Sequence, residues 1–143
     1  MTSDSTGNGK QCSVLVVNCA GRETAHRQAL QLRGFLVAEL SEWPSDDVVL
    51  GYEVVIIVLR RMDSVSMTAA RMRAKPKFGM RVLIGVMDSA PSAAERRLAI
   101  VSGFDDIVGE SRDSRVLVAH ILRLLRARPE HRCLLPDKKR PAA

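Results

Sequence analysis

This sequence has few aromatic residues, no closely spaced cysteines and no apolar run long enough to span a membrane. Phe, Trp and Tyr make up 3% of its 143 residues, so the core must be aliphatic. Cys12, Cys19 and Cys133 lie far apart and form no CxxC or zinc-like Cys/His spacing, which argues against disulfides and a structural metal. No run reaches the ~18 apolar residues of a membrane span, and the polar N-terminus lacks a signal-peptide core. We therefore expect a protein of the reducing cytoplasm, with no membrane association.

Motifs for catalysis and nucleotide binding are also missing. The segment N-C-A-G at 18–21 has one glycine, so it is not a phosphate-binding loop. His26, His120 and His131 are scattered, and no serine lies in a nucleophile elbow. The sequence therefore predicts no enzyme activity, no cofactor and no metal site.

The chain carries a net charge of +6, and its basic residues fall into three clusters. One interpretation is an electrostatic surface for nucleic acid. Because stacking aromatics are nearly absent, we favour helix C-terminal cations, a solvated tail, or an acidic protein partner instead. Nucleic acid is therefore not the expected partner. The clusters are Arg71, Arg73, Lys75, Lys77 and Arg81; Arg123, Arg126, Arg128 and Arg132; and Lys138, Lys139 and Arg140.

The strongest positive signal is V-V-I-I-V-L at 54–59, six consecutive apolar residues. Such a run is typical of a central parallel strand that is buried on both faces. Further strands are predicted at 13–18, 35–40, 80–87 and 106–109. Helices are predicted at 22–33, after Ser45 or Asp46, and at 67–75, 92–102 and 114–128. This alternation, with right-handed crossovers, predicts an α/β flavodoxin-like (βα)5 three-layer sandwich with a parallel sheet in the order 2-1-3-4-5.

Local signals refine the helices and the domain limits. Ser92 and Glu95 form a capping-box pattern, and Gly103 ends the same helix. We expect a disordered lead-in at 1–12, one domain at 13–128 and a flexible basic tail at 129–143. The apolar faces are predicted as Ala25, Ala29, Leu30 and Leu32 in the first helix, and Val116, Leu117, Ile121, Leu124 and Leu125 in the last.

The segment S-G-F-D-D-I-V-G-E-S at 102–111 resembles the G-A-D-D-Y-L-x-K-P stretch around the fifth strand of the receiver domains of bacterial response regulators. The order and spacing of the elements over about residues 13–128 are similar as well. This resemblance implies a CheY-like fold and a site at the strand ends. In that family an acidic pair holds magnesium, an aspartate takes the phosphoryl group, and a Ser/Thr and a lysine bind its oxygens.

The matching positions carry other residues in this sequence. The acceptor aspartate falls on Val58, which has no nucleophilic oxygen. The acidic pair falls on Asn18 and Cys19, which offer little charge to magnesium, and the lysine falls on Glu110, which repels phosphate. Aspartyl-phosphate signalling is therefore expected to be lost. The full vestigial pocket is Asn18, Cys19, Val58, Asp88 (or Ser89 or Val86 after a loop shift) and Glu110, with the switch position at Ile107 and the following proline replaced by Ser111.

Two sharper interpretations of this pocket remain open. In the first interpretation, Asp88, Glu110 and Asn18 form a rewired cation site or an acid/base pair. We favour the alternative that the carboxylates are solvated, or that Glu110 pairs with Arg60 or Arg61. Cys19 is either a redox-sensing thiol or, as we favour, a small packing residue.

The resemblance also implies an interaction surface, because receivers commonly bind partners or dimerise through their fourth helix, fifth strand and fifth helix. We therefore predict a phosphorylation-independent signalling module that binds a protein of its pathway or forms a homodimer there. A small-ligand or nucleotide sensor at the strand-end crevice, and a basic nucleic-acid accessory protein, are the alternatives. The predicted interface is Arg96, Arg97, Ile100, Asp106, Arg115, Ala119 and Leu122.

Overall fold

Nine helices and strands are assigned in the computed structural model, which describes residues 12–21, 26–60, 71–73, 75, 78–79, 81–109 and 115–127. The predicted lead-in (apart from Cys12) and tail, and Glu110, lie outside these residues. The strands are β1 Ser13–Asn18, β2 Leu36–Leu40, β3 Val54–Leu59, β4 Val82–Met87 and β5 Asp106–Gly109. The helices are α1 His26–Leu32, α2 Asp46–Val49, α3 Ala93–Ser102 and α4 Arg115–Arg126, and residues 71–73 are also helical.

The five strands form one parallel sheet in the order β2-β1-β3-β4-β5. This is the predicted order 2-1-3-4-5, which is confirmed. All six residues of β3 and all six of β4 are buried, as expected for central strands covered on both faces. The carboxyl ends of the strands therefore meet at one edge of the sheet, where a parallel α/β fold places its ligands.

Alternate residues of the strands pack into two separate apolar cores. Val54, Ile56 and Val58 face one core, which also holds Leu30 of α1 and one side of α4. Val55, Ile57 and Leu59 face the other core, which holds Val49 of α2, Met72, Phe78 and Ala99 of α3. The sheet therefore lies between two layers of helix, which confirms the three-layer sandwich.

The ends of α3 follow the sequence signals closely. The Ser92 hydroxyl accepts a hydrogen bond from the Glu95 amide at 3.1 Å, and Glu95 Oε1 accepts one from the Ser92 amide at 2.8 Å. Gly103 ends the helix in the left-handed conformation, with φ 113°. The capping box and the glycine stop are both confirmed. Ser45, in contrast, lies at the N-cap of α2 without a side-chain capping bond.

Two of the predicted helix faces are wrong in detail. Leu32, predicted to face the core, is 80% exposed, and His26 is buried in α1 instead. In α4, Val116 is 46% exposed whereas Leu122 is 5% exposed. The helix is turned so that Leu122 enters the core, and the prediction that Leu122 lies at the surface is therefore wrong.

A polar network ties together the amino ends of β4 and β5, where the sequence predicts only exposed cations. Arg81 donates hydrogen bonds to three carbonyl oxygens, those of Leu50 (2.5 Å), Tyr52 (2.9 Å) and Phe78 (3.0 Å). Arg73 pairs with Asp105 at 2.8 Å and also donates to the Arg81 carbonyl. The other Asp105 oxygen accepts the Leu83 amide at 2.7 Å. These side chains hold the loops before β4 and β5 against the end of α2.

Candidate functional site

The sheet brings two of the predicted pocket residues together at its carboxyl end. Asn18 of β1 lies beside Val58 of β3 in the strand register, and Val58 in turn lies beside Val86 of β4. Asp88 follows the end of β4 and is exposed, and Cys19 directly follows β1 and is half-buried. Asn18, Cys19, Val58 and Asp88 therefore lie at the strand ends where a receiver has its phosphorylation site, whereas Glu110 is not among the described residues.

The Val58 side chain has no reactive atom and is not accessible to solvent. Its side chain is fully buried in the core shared with α1 and α4, where Val16 and Val86 also lie. Because an isopropyl group has no nucleophilic oxygen, no acyl phosphate can form there. At this position the end of β3 contributes packing.

Asn18 is nearly buried, at 9% exposed, and its amide donates a hydrogen bond to Glu39 Oε2 at 3.2 Å. Glu39 lies in β2, the neighbouring edge strand, where it is the only charged residue. The hydrogen bond from Asn18 gives this carboxylate a partner that the sequence alone does not show. A carboxylate from β2 thus reaches the residue at the acidic-pair position. Within the described residues, no group of three or more His, Cys, Asp or Glu side chains could hold a metal ion.

Ile107, at the switch position, is 1% exposed and belongs to the core on the α3 side, together with Phe104. The sequence predicts an aliphatic residue at this position, and its side chain fills the core. The position therefore contributes to packing here.

The loop after β4 presses against the end of β5 at Gly109. A Cβ atom on Gly109 would lie 2.8 Å from the Ala90 Cα and 2.9 Å from the Ala90 nitrogen. Both are backbone atoms, which cannot be moved aside by a side-chain rotation. Asp88, Ser89 and Ala90 are thereby held over the last strand, beside the carboxyl end of the sheet.

Gly109→Ala is therefore expected to lower the free energy of unfolding by about 1–3 kcal/mol, since the loop must shift to admit the methyl group. Urea denaturation followed by circular dichroism measures this change. Gly85→Ala is the matched control, because its new Cβ would meet only side-chain atoms of Ile107 and Phe104 at 3.4 Å. If both variants lost the same stability, the close approach at Gly109 would not be the cause.

A second candidate site is the β5-edge surface, which we define as Arg96, Arg97 and Ile100 of α3, Asp106 of β5, and Val116, His120 and Arg123 of α4. Asp106 Oδ2 lies 2.7 Å from His120 Nδ1 and 3.2 Å from the Arg123 guanidinium. Val116, His120 and Arg123 follow the i, i+4, i+7 spacing of one helix face. Arg115 and Ala119, which the sequence predicts at the interface, are exposed on the adjoining flank of α4.

Contacts within the fold already use several residues of the basic clusters. Arg73 and Arg81 bind Asp105 and backbone carbonyls, and Lys75 pairs with Asp46 at 2.6 Å. The described part of the first cluster is therefore committed largely to structure and not to a polyanion. The remainder of the C-terminal basic residues, from Arg128 onwards, lie outside the described residues. No helix that the structure describes has the length and apolarity needed to cross a membrane.

No family model and no curated protein matches this sequence. Solved structures do match. An orphan response regulator of H. pylori has a TM-score of 0.64 at 19% identity, over 82% of this chain and 99% of that chain. An atypical orphan response regulator, described as having a phosphorylation-independent regulatory mechanism, has a TM-score of 0.61 at 22% identity, over 80% of this chain and 95% of that chain. A pilus assembly-related protein of Burkholderia pseudomallei has a TM-score of 0.67 at 15% identity, over 93% of this chain and 99% of that chain.

Receiver domains described as such, including a CheY-like one, also match. At these identities the likeness establishes the fold. Strand order, layers and structural neighbours agree, so the chain has the CheY-like fold that is seen in the receiver domains of response regulators.

Proposed function

We propose that the chain is an atypical receiver that signals through protein contacts and independently of phosphorylation. The observation that supports the proposal most is the complete burial of Val58, an aliphatic side chain at the position where the sequence predicts the acceptor aspartate. Asn18 and Ile107 support it, because the first is bonded to Glu39 and the second packs in the core. One solved neighbour is itself described as phosphorylation-independent, which is consistent with this class.

In this proposal the cytoplasmic protein changes state through the occupancy of its β5-edge surface. That surface combines exposed arginines with exposed apolar side chains, a mixture that suits a regulated protein contact. Its occupant is a protein, either a second copy of this chain or a member of the same signalling pathway. No catalytic step is required of the domain.

The ligand-sensing alternative requires a cavity at the strand-end crevice. A shallow surface depression of about 480 Å³ in the described residues lies at the other end of the sheet, beside β2. Its lining is mainly apolar and includes Leu36, Val48 and Tyr52. None of the pocket residues at the carboxyl ends of the strands contributes to it.

Incubation of the protein with acetyl phosphate and magnesium is expected to leave its intact mass unchanged, since position 58 has no oxygen to phosphorylate. Intact-mass spectrometry measures this directly, and a receiver that retains its acceptor aspartate serves as the positive control. A phosphoryl group mapped to Asp88 or Asp63 would contradict the proposal.

A further inference from the structure

The strand β2 is the least buried strand of the sheet. It lies at one edge, and all its residues are exposed or half-buried, whereas all the residues of β3 and β4 are buried. The helix that follows it, α2, has only four residues and covers little of the strand. Leu36 and Val48 are 53% and 41% exposed, and with Tyr52 they line the shallow depression beside β2. Apolar side chains are therefore open to solvent along this edge.

The backbone of Val37 points away from the sheet. The Leu36 amide donates a hydrogen bond to the Cys12 carbonyl at 3.0 Å, on the side of β1. In a parallel ladder, the N–H and C=O groups of one residue point to the same neighbouring strand, and those of the next residue point the opposite way. The backbone groups of Val37 and Glu39 therefore face the outer edge, where the described residues place no further strand. Such an edge is a template for one more strand.

The chain around this edge is acidic, although the whole protein carries a net charge of +6. Residues 34–59 contain no lysine and no arginine. Lys75 reaches this segment from outside and pairs with Asp46 at 2.6 Å, whereas Arg81 is bonded to backbone carbonyl oxygens. The carboxylates of the segment are Glu39, Glu42, Asp46, Asp47 and Glu53.

Three of these carboxylates are not neutralised by an ion pair within the described residues. Glu39 accepts a hydrogen bond from the neutral Asn18 amide, and Glu42 and Asp47 are exposed. Asp47 also lines the depression. A second copy that paired its own β2 here would bring the same cation-free segment in any register, and charged side chains on an edge disfavour such self-pairing. A strand that carries lysine or arginine meets opposite charge instead.

We infer that the outer edge of β2 binds an extended, basic segment of a different protein as an added strand of the sheet. Val37 and Glu39 supply the backbone hydrogen bonds, and the depression takes apolar side chains of the segment. The carboxylates attract its lysine or arginine side chains and favour a basic partner over other strands. This edge lies at the opposite end of the strand order from the β5-edge surface, so the inference goes beyond the proposed function.

Binding is tested by fluorescence anisotropy with a labelled peptide of about eight residues in which valine and lysine alternate, long enough to span β2. Two further probes are the same peptide with glutamate in place of lysine, and the lysine peptide with every backbone amide N-methylated. The full chain is expected to bind the lysine peptide. Both other probes are expected to bind at least about tenfold more weakly, because the first is repelled and the second cannot donate hydrogen bonds to the edge.

The variant Val37→Pro removes an amide that points outward and leaves the bonds between β1 and β2 in place, since an edge strand tolerates proline on its open side. It is expected to weaken binding at least about tenfold. Glu42→Gln/Asp47→Asn is expected to weaken it at least about threefold at low salt. The matched control is Leu98→Lys/Val101→Lys, which makes the same change in net charge at exposed positions of α3 and is expected to change affinity less than about twofold.

Several results would overturn the inference. They are no binding of the lysine peptide, equal binding of the glutamate or the N-methylated peptide, full affinity in a folded Val37→Pro protein, or an equal loss in the control variant. If Val37→Pro disturbs the fold by circular dichroism, the N-methylated peptide makes the same test from the side of the partner.

Sedimentation equilibrium is expected to find a monomer over the whole concentration range. A dimer that Val37→Pro dissociates would also overturn the inference and would assign the edge to a second copy. The phosphodonor experiment is independent of all these outcomes, so the two proposals fail separately.

Discussion

Val58→Asp is expected to lower the free energy of unfolding by more than about 3 kcal/mol, because it places an unpaired carboxylate at a fully buried position. The neighbours of Val58 in the register are Asn18 and Val86, neither of which is a cation. Asn18 already donates to Glu39, whose negative charge adds to the penalty. Introducing the acceptor residue of receiver domains at this position is therefore expected to destabilise the domain without creating a phosphorylation site.

The pH dependence follows from the burial of the introduced carboxyl group. Desolvation raises the pKa of a buried carboxyl in the folded state above its value of about 3.9 in the unfolded chain. The folded variant therefore holds its proton more tightly, so the penalty is smallest at acidic pH and grows as pH rises through the folded-state pKa. Urea denaturation of the variant and the unmodified protein between acidic and neutral pH measures the difference.

Two control variants separate charge from packing at this position. Val58→Ala removes two methyl groups and is expected to cost about 2 kcal/mol at every pH. Val101→Asp makes the same chemical change at an 80% exposed residue and is expected to stay within about 0.5 kcal/mol. A Val58→Asp protein of undiminished stability that accepts a phosphoryl group from acetyl phosphate would show that the site is open and nearly functional.

Arg81→Met is expected to lower the free energy of unfolding by about 2–4 kcal/mol, since three carbonyl oxygens lose a charged donor at once. These carbonyls belong to Leu50 and Tyr52, just after α2, and to Phe78 ahead of β4. Methionine keeps much of the aliphatic volume, so the loss reports mainly on hydrogen bonding. Chemical denaturation measures it.

Arg81→Lys tests the geometry of the same contact. A lysine keeps the charge but cannot reproduce the planar fork that reaches three acceptors, so most of the stability loss is expected to persist. Arg96→Met is the matched control at an exposed arginine of α3 and is expected to change stability by less than about 0.5 kcal/mol. Full recovery in Arg81→Lys would mean that charge alone, and not the fork, stabilises the loops.

The parts of this fold that follow from sequence are those set by short-range patterns. The apolar run at 54–59 specifies a central strand because a strand covered on both faces needs no polar side. The Ser92 and Glu95 spacing specifies a helix start because both bonds of the capping box lie within one turn. The alternation of such elements is then enough to order the sheet, because crossovers are right-handed.

The parts that do not follow depend on contacts between residues distant along the chain. Asp106 lies 14 residues before His120 and contacts it at 2.7 Å, and the packing of α4 on the sheet leaves Leu122 buried and Val116 exposed. The apolar periodicity of the sequence does not decide whether Leu122 or Val116 faces the core. Arg81 and Glu39 likewise appear in the sequence as ordinary surface charges, because their partners belong to other elements.

The identity of the residue at position 58 can be seen in the sequence alone, whereas its complete burial depends on the strands and helices that pack around it.

The ends of α3 secure it better than its middle does. Its first turn is closed by Ser92 and Glu95 and its last by Gly103, yet Ala99 is the one residue of the helix that is buried between them. Such a helix keeps its shape through local bonds while drawing little free energy from the core, and segments of that kind open more readily than the rest of a domain. A protein that covers Ile100 would supply the missing packing, so binding of such a protein would stabilise α3 against local opening.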